Sequence, residues 1–71
     1  MPELDIYKKI KDRRLLLGIT QQDLADISGV ALRTIKQMEN GKGNPAIGTL
    51  NKVVSVLGMS IDISVKKLDE V

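Results

Sequence analysis

Four side chains able to form directed hydrogen bonds, Arg33, Lys36, Gln37 and Asn40, fall within one stretch of eight residues. At about 100° per residue they gather on one side of a helix, with Ala31, Ile35 and Met38 on the other. A guanidinium, an ammonium and two amides bind and position; they do not make or break covalent bonds. Bond-making groups are scarce elsewhere. The 71 residues contain no histidine and no cysteine, which removes the usual general base, the thiol nucleophile and nearly every zinc or haem ligand set. Asp23 and Asp26 stand three apart with no base, nucleophile or phosphate-cradling loop beside them, and helix capping accounts for aspartates in such places. Gly41, Gly43 and Gly48 follow no strand and read as turn and cap residues, not as a nucleotide fingerprint. Met38 and Met59 read as packing residues. The sequence argues against an enzyme, and no cofactor or metal is expected. Tyr7, the sole aromatic residue, is too little for the stacking platforms that bind RNA or single-stranded nucleic acid.

The polar row needs helices to position it. Ile6, Tyr7, Ile10 and Leu17 lie near a 3.6-residue period, which predicts an amphipathic helix over residues 5–17, closed by Gly18. Lys8, Lys9, Lys11 and Arg13 fall mostly on its other faces and read as a solvated surface. Thr20, Gln21, Gln22 and Asp23 resemble a capping box, the Thr20 hydroxyl accepting the Asp23 backbone N–H. They open a helix of about two turns with Leu24, Ala25 and Ile27 inward, broken at Ser28-Gly29-Val30. A third helix is expected from Leu32 to Asn40, closed by Gly41. After the loop Lys42-Gly43-Asn44-Pro45, a fourth is marked by Ile47, Leu50, Val53, Val54 and Leu57 and ended by Gly58. Gly48 within it costs about 1 kcal/mol relative to alanine.

Beyond Gly58 the period changes to two. Met59, Ile61, Ile63 and Val65 alternate with Ser60, Asp62, Ser64 and Lys66, the pattern of a strand with one buried face. No other segment reads as a strand, so its simplest partner is the same strand of a second copy. A homodimer joined through Met59, Ile61, Ile63 and Val65 is therefore expected. The fold class is mainly α: four helices in residues 1–58, a dimerisation strand in 59–66 and a frayed tail in 67–71. A chain this short builds a single core.

A helix of about eight residues, a tight turn at Gly29 and a second helix with a polar outer face form a helix-turn-helix, in which the second helix protrudes far enough to enter a DNA major groove. Four stretches then carry a specific resemblance: Thr20-Gln21-Gln22-Asp23-Leu24-Ala25, Ser28-Gly29-Val30, Ile35-Lys36-Gln37-Met38-Glu39-Asn40-Gly41-Lys42, and Leu50 through Gly58. Over residues 7–58 the chain resembles the DNA-binding domains of the lambda Cro and phage-repressor type. Within that class it is most similar to HipB-type antitoxin-repressors, through the Gly29-Val30-Ala31-Leu32-Arg33 turn, the lack of a fifth helix and the terminal strand.

The resemblance implies a lambda-repressor-like fold, double-stranded operator DNA as ligand, and a homodimer that represses transcription. It also implies residue roles. Arg33 and Gln37 match base-reading positions, and each bidentate pairing, arginine to guanine or glutamine to adenine, is worth about 1–3 kcal/mol of discrimination. Lys36 and Thr34 flank them, and Leu32 stands where relatives often carry a polar reader, able to meet a thymine methyl or to pack. Gln21, Asn40 and Lys42 match phosphate contacts. Arg14 and Glu39 match a partly buried ion pair joining the first and third helices. Ala31 replaces the usual hydroxyl cap, at about 1 kcal/mol. The HipB likeness adds a HipA-like kinase toxin as partner and autoregulation of a toxin-antitoxin operon. A phage or restriction-modification repressor without a toxin, or a protein-interaction adaptor, would share most of these residues.

Eleven lysines and arginines against nine acidic residues give a net charge of only +2, but residues 31–42 hold Arg33, Lys36 and Lys42 against Glu39 alone. The opening Met1-Pro2-Glu3-Leu4-Asp5 is no signal peptide and no apolar run approaches the ~20 residues of a membrane span. A prokaryotic cytoplasmic protein, on the nucleoid when DNA-bound, is expected.

Overall fold

The computed structural model describes residues 2–62, which form four helices in the order α1 (Pro2–Leu16), α2 (Gln21–Ser28), α3 (Leu32–Glu39) and α4 (Ile47–Val56). Helix α1 begins before the expected residue 5. Proline suits a first helical position, because its φ is already helical and its missing N–H would have had no partner there. The apolar period, which starts only at Ile6, carries no signal for that turn.

The core is Ile10 from α1, Leu24 and Ala25 from α2, Val30 from the turn, Ile35 and Met38 from α3, and Val53, Val54 and Leu57 from the end of the chain's fourth helix and its cap. Tyr7, Ile19, Leu32, Leu50 and Val56 pack around it, half-buried. Five apolar residues expected inward are exposed instead, Ile6 and Ile47 among them. Leu17 lies beyond the last residue of α1, where the helical phase no longer holds. Ile27 is 64% exposed; at 100° per residue it points about 110° away from the mean direction of Leu24 and Ala25. Ala31 is the extended residue before α3, so Val30 takes the inward place.

Three helices end in the same pair of backbone hydrogen bonds. At α3, Gly41 N donates to Met38 O at 2.9 Å and Lys42 N to Gln37 O at 2.8 Å. This is a Schellman motif, and it requires the left-handed backbone that Gly41 adopts at φ 72°. The corresponding bonds close α1 (Gly18 N to Leu15 O, Ile19 N to Arg14 O) and α4 (Gly58 N to Ser55 O, Met59 N to Val54 O).

The expected C-terminal strand has no counterpart among the described residues. Residues 59–62 carry no regular secondary structure, and Met59 and Ile61 pack, half-buried, against the core of their own chain. A strand forms only where a neighbour completes its hydrogen-bond ladder, and the helical domain offers none. Ile63, Val65 and the tail 67–71 lie outside the described residues. No helix among the described residues is long and apolar enough to cross a membrane.

Candidate nucleic-acid interface

Thr20 starts the unit that carries the polar row. Its hydroxyl accepts the Asp23 N–H at 2.9 Å and its own N–H donates to Asp23 Oδ2 at 3.0 Å, so both halves of the capping box form. Aspartate, one methylene shorter than the usual glutamate, closes the box without strain on the hydrogen-bond length. The Thr20 backbone N–H, and then the Thr20 hydroxyl contact, hold the Asp23 carboxyl below its ordinary range. Helix α2 ends at Gly29, whose φ of 75° turns the chain toward α3 while its N–H donates to Ala25 O. Buried Val30 anchors the turn, and its N–H donates to Ser28 Oγ at 3.2 Å.

Helix α3 then presents two unlike sides. Ile35 and Met38 are buried, whereas Arg33, Lys36, Gln37 and Asn40 are all exposed. At 100° per residue these four span an arc of about 100°. Thr34 and Leu32 border the arc, half-buried, and Leu32 packs against the core. Ala31, as expected of a residue without a side-chain acceptor, makes no capping hydrogen bond. Asn40 is the C-terminal cap of α3 and not its last residue.

The Schellman motif folds the following loop back over this row. Lys42 is exposed beside the end of α3, and Gly43 lies beside Gln37, where a Cβ on Gly43 would make an ordinary contact at 3.4 Å from Gln37 Oε1. Thr34, Gln37, Lys42, Gly43, Asn44 and Pro45 thus share one polar recess. Sequence reasoning placed Gln37 on the helix face but missed this loop contact, which depends on where a glycine at φ 80° sends the chain.

An ion pair ties the edges of the interface together. Arg14 Nε meets Glu39 Oε2 at 2.7 Å and Nη2 meets Oε1 at 2.8 Å, a bidentate fork. The two side chains are 9% and 2% exposed. Arg14 Nη1 also donates to Ile19 O at 2.9 Å. Gln21, the first residue of α2, donates from Nε2 to Glu39 Oε1 at 3.1 Å. One carboxylate therefore joins α1, the start of α2 and the end of α3. Burial works to raise the Glu39 carboxyl. The hydrogen bonds from Arg14 and Gln21, with the charges of Arg14 and Lys11, outweigh it and leave the group below its ordinary value. The hydrogen bond to Glu39 likewise raises Arg14.

The link from Gln21 to Glu39 is legible in no spacing, since the residues lie 18 apart. Arg13 departs from the solvated face it was expected to join: half-buried, it donates from Nε to Leu57 O at 2.9 Å, capping the C-terminal end of α4. No signal short of knowing which carbonyls α4 leaves unpaired could have found it. Among the described residues no cluster of three or more acidic, histidine or cysteine side chains could hold a metal ion.

Residues 10–64 match the family model described as helix-turn-helix. A helix-turn-helix-type transcriptional regulator of Methanocaldococcus jannaschii is 38% identical over 63 residues, 87% of this chain and 96% of its own. One from Sinorhizobium fredii is 39% identical over 59 residues, 83% and 78% of the two chains. The cryptic phage CTXphi transcriptional repressor RstR of Vibrio cholerae is 32% identical over 59 residues, 83% of this chain. The chain spans only 53% of RstR and 59% of a Haemophilus influenzae regulator, 36% identical to it over 58 residues and 82% of this chain. No solved structure matches. A capped α2, a left-handed glycine turn and an α3 with one polar and one buried side, all inside the matched span, place this chain in the helix-turn-helix family of Cro/C1 type.

Proposed function

We propose that the chain is a sequence-specific repressor that binds double-stranded operator DNA through α3. The observation that carries this is the exposed row of Arg33, Lys36, Gln37 and Asn40 on a helix whose opposite side is fixed in the core. In this reading Arg33 and Gln37 read base edges, with Thr34, Lys36 and Leu32 at the border of the contact. Gln21, Asn40 and Lys42 hold phosphates. Retention of the protein on duplex DNA from upstream of its own gene, lost steeply as salt rises, is the expected result. Binding that ignores both sequence and salt would remove the reading.

The repressor acts as a homodimer, placing two copies of α3 in successive major grooves about 34 Å apart. Support comes from an apolar groove of about 270 Å³ beside the C-terminal segment, lined by Ile6, Ile47, Leu50, Met59 and Ile61 among others. Ile6 and Ile47 are exposed there, and the same apolar rim of a second copy is the partner we assign to it.

The HipB likeness carries a finer reading, an antitoxin that represses its own operon and binds a HipA-like kinase. Kinship with a named phage repressor supports a phage-type repressor instead. Co-expression with the product of the adjacent gene separates the two: a kinase-like protein that co-purifies makes the chain an antitoxin, and a neighbour that does not bind leaves the repressor alone.

A further inference from the structure

We propose that the DNA-contacting surface continues beyond the helix-turn-helix onto α1, where Lys11 receives a backbone phosphate in a cleft against the C-terminal end of α3. This rests on the reading of α3 as the DNA-facing helix.

The cleft, about 300 Å³, is lined by Tyr7, Lys8 and Lys11 on one side and Glu39, Asn40 and Gly41 on the other. Asn40 belongs both to this wall and to the polar row of α3, so a duplex laid along α3 brings its backbone to the mouth of the cleft. The charge there favours an anion. Glu39 is the only acid in the lining, and its side chain is 2% exposed with both oxygens engaged by Arg14. What faces solvent is lysine. Lys8 is held by Asp12 at 2.8 Å, which leaves Lys11 as the cation on which the proposal rests. Lys11 is exposed, and its charge is felt at the Glu39 carboxylate across the gap between α1 and α3.

Arg14 is engaged by Glu39, and Lys9 and Arg13 turn elsewhere. Lys9 and Arg13 line a separate cleft with Leu16, Gly58 and Met59, and Arg13 is committed to the Leu57 carbonyl. Lys9 also borders the apolar groove assigned to a second copy, so sedimentation is measured alongside; with the assembly unchanged it serves as a control of equal charge on the same helix.

The test measures binding of the full chain to a random-sequence duplex pool over a range of salt, since a phosphate contact acts on every sequence alike. Lys11→Gln is expected to weaken binding several-fold at low salt. It should also flatten the slope of log affinity against log salt by about 0.9, the release expected from one phosphate contact. Lys11→Arg should restore both, and Lys9→Gln should change neither. If the parent protein binds with a steep salt slope and Lys11→Gln behaves like Lys9→Gln, the proposal is overturned and the reading of α3 stands. If the parent protein shows no salt-dependent binding, the reading of α3 fails and the proposal goes with it.

Discussion

At the scale of the residue, the interface divides into groups that would read sequence and groups that would hold the backbone, and substitution should separate them. Arg33→Ala is expected to relax preference at one base pair by about 1–3 kcal/mol, whereas Gln21→Ala should weaken all sequences alike. Binding measured on a panel of single-base operator variants decides this; equal losses at every site from both changes would show the roles to be wrongly assigned. Gln21→Ala also removes a hydrogen bond to Glu39, so its stability must be measured alongside. Glu39 makes a second test. Its carboxyl is lowered in the folded chain from the ordinary 4.5, so the stability it contributes is fully present above that pH. It is lost as pH falls through the lower folded value. Melting temperature should drop on acidification below about pH 4.5, with Asp23, also lowered, contributing to the same fall. Glu39→Gln leaves the Arg14 guanidinium without its buried counter-charge and should cost on the order of 3–5 kcal/mol at neutral pH. Its melting curve should then lack the Glu39 part of the acid slope.

At the scale of the element, the ends of the helices were more legible than their insides. Gly18, Gly41 and Gly58 could be placed from sequence because a left-handed residue after an apolar period has few alternatives, and all three close Schellman motifs. Thr20 and Asp23 were legible for the same reason, a side chain answering a backbone group three residues away. Of the long-range partners, Arg14 with Glu39 came from the family resemblance alone, while Arg13 with Leu57 and Gln21 with Glu39 join residues 44 and 18 apart, and no local pattern encodes which helix end meets which side chain. The polar row of α3 could be read from its period, while the loop that brings Gly43 against Gln37 could not. The uncapped start of α3 invites a direct measurement. Ala31→Ser should stabilise the domain by about 1 kcal/mol, because Ala31 already has the extended backbone of a capping residue and lacks only the acceptor. Chemical denaturation would show it as a higher midpoint with unchanged slope.

At the scale of the whole molecule, the described core is small and its apolar rim is left open at Ile6 and Ile47 beside Met59 and Ile61. A second copy covering that rim would add stability that depends on concentration. Sedimentation at micromolar protein is expected to give a dimer, and Ile6→Asp with Ile47→Asp, at the exposed part of the rim, should give a folded monomer that binds a palindromic operator far more weakly. A parent protein that sediments as a monomer across that range would rule out the assembly. The Glu39 carboxylate bears on how such a dimer meets its operator. Because one buried anion clamps the beginning of α2, the end of α3 and the body of α1, the helix-turn-helix has little freedom to adjust its own shape. In the proposed complex, mismatch between protein and DNA would then fall to the duplex, through twist and groove width. Base pairs that no side chain touches, those between the half-sites, should therefore tune affinity according to how easily they deform.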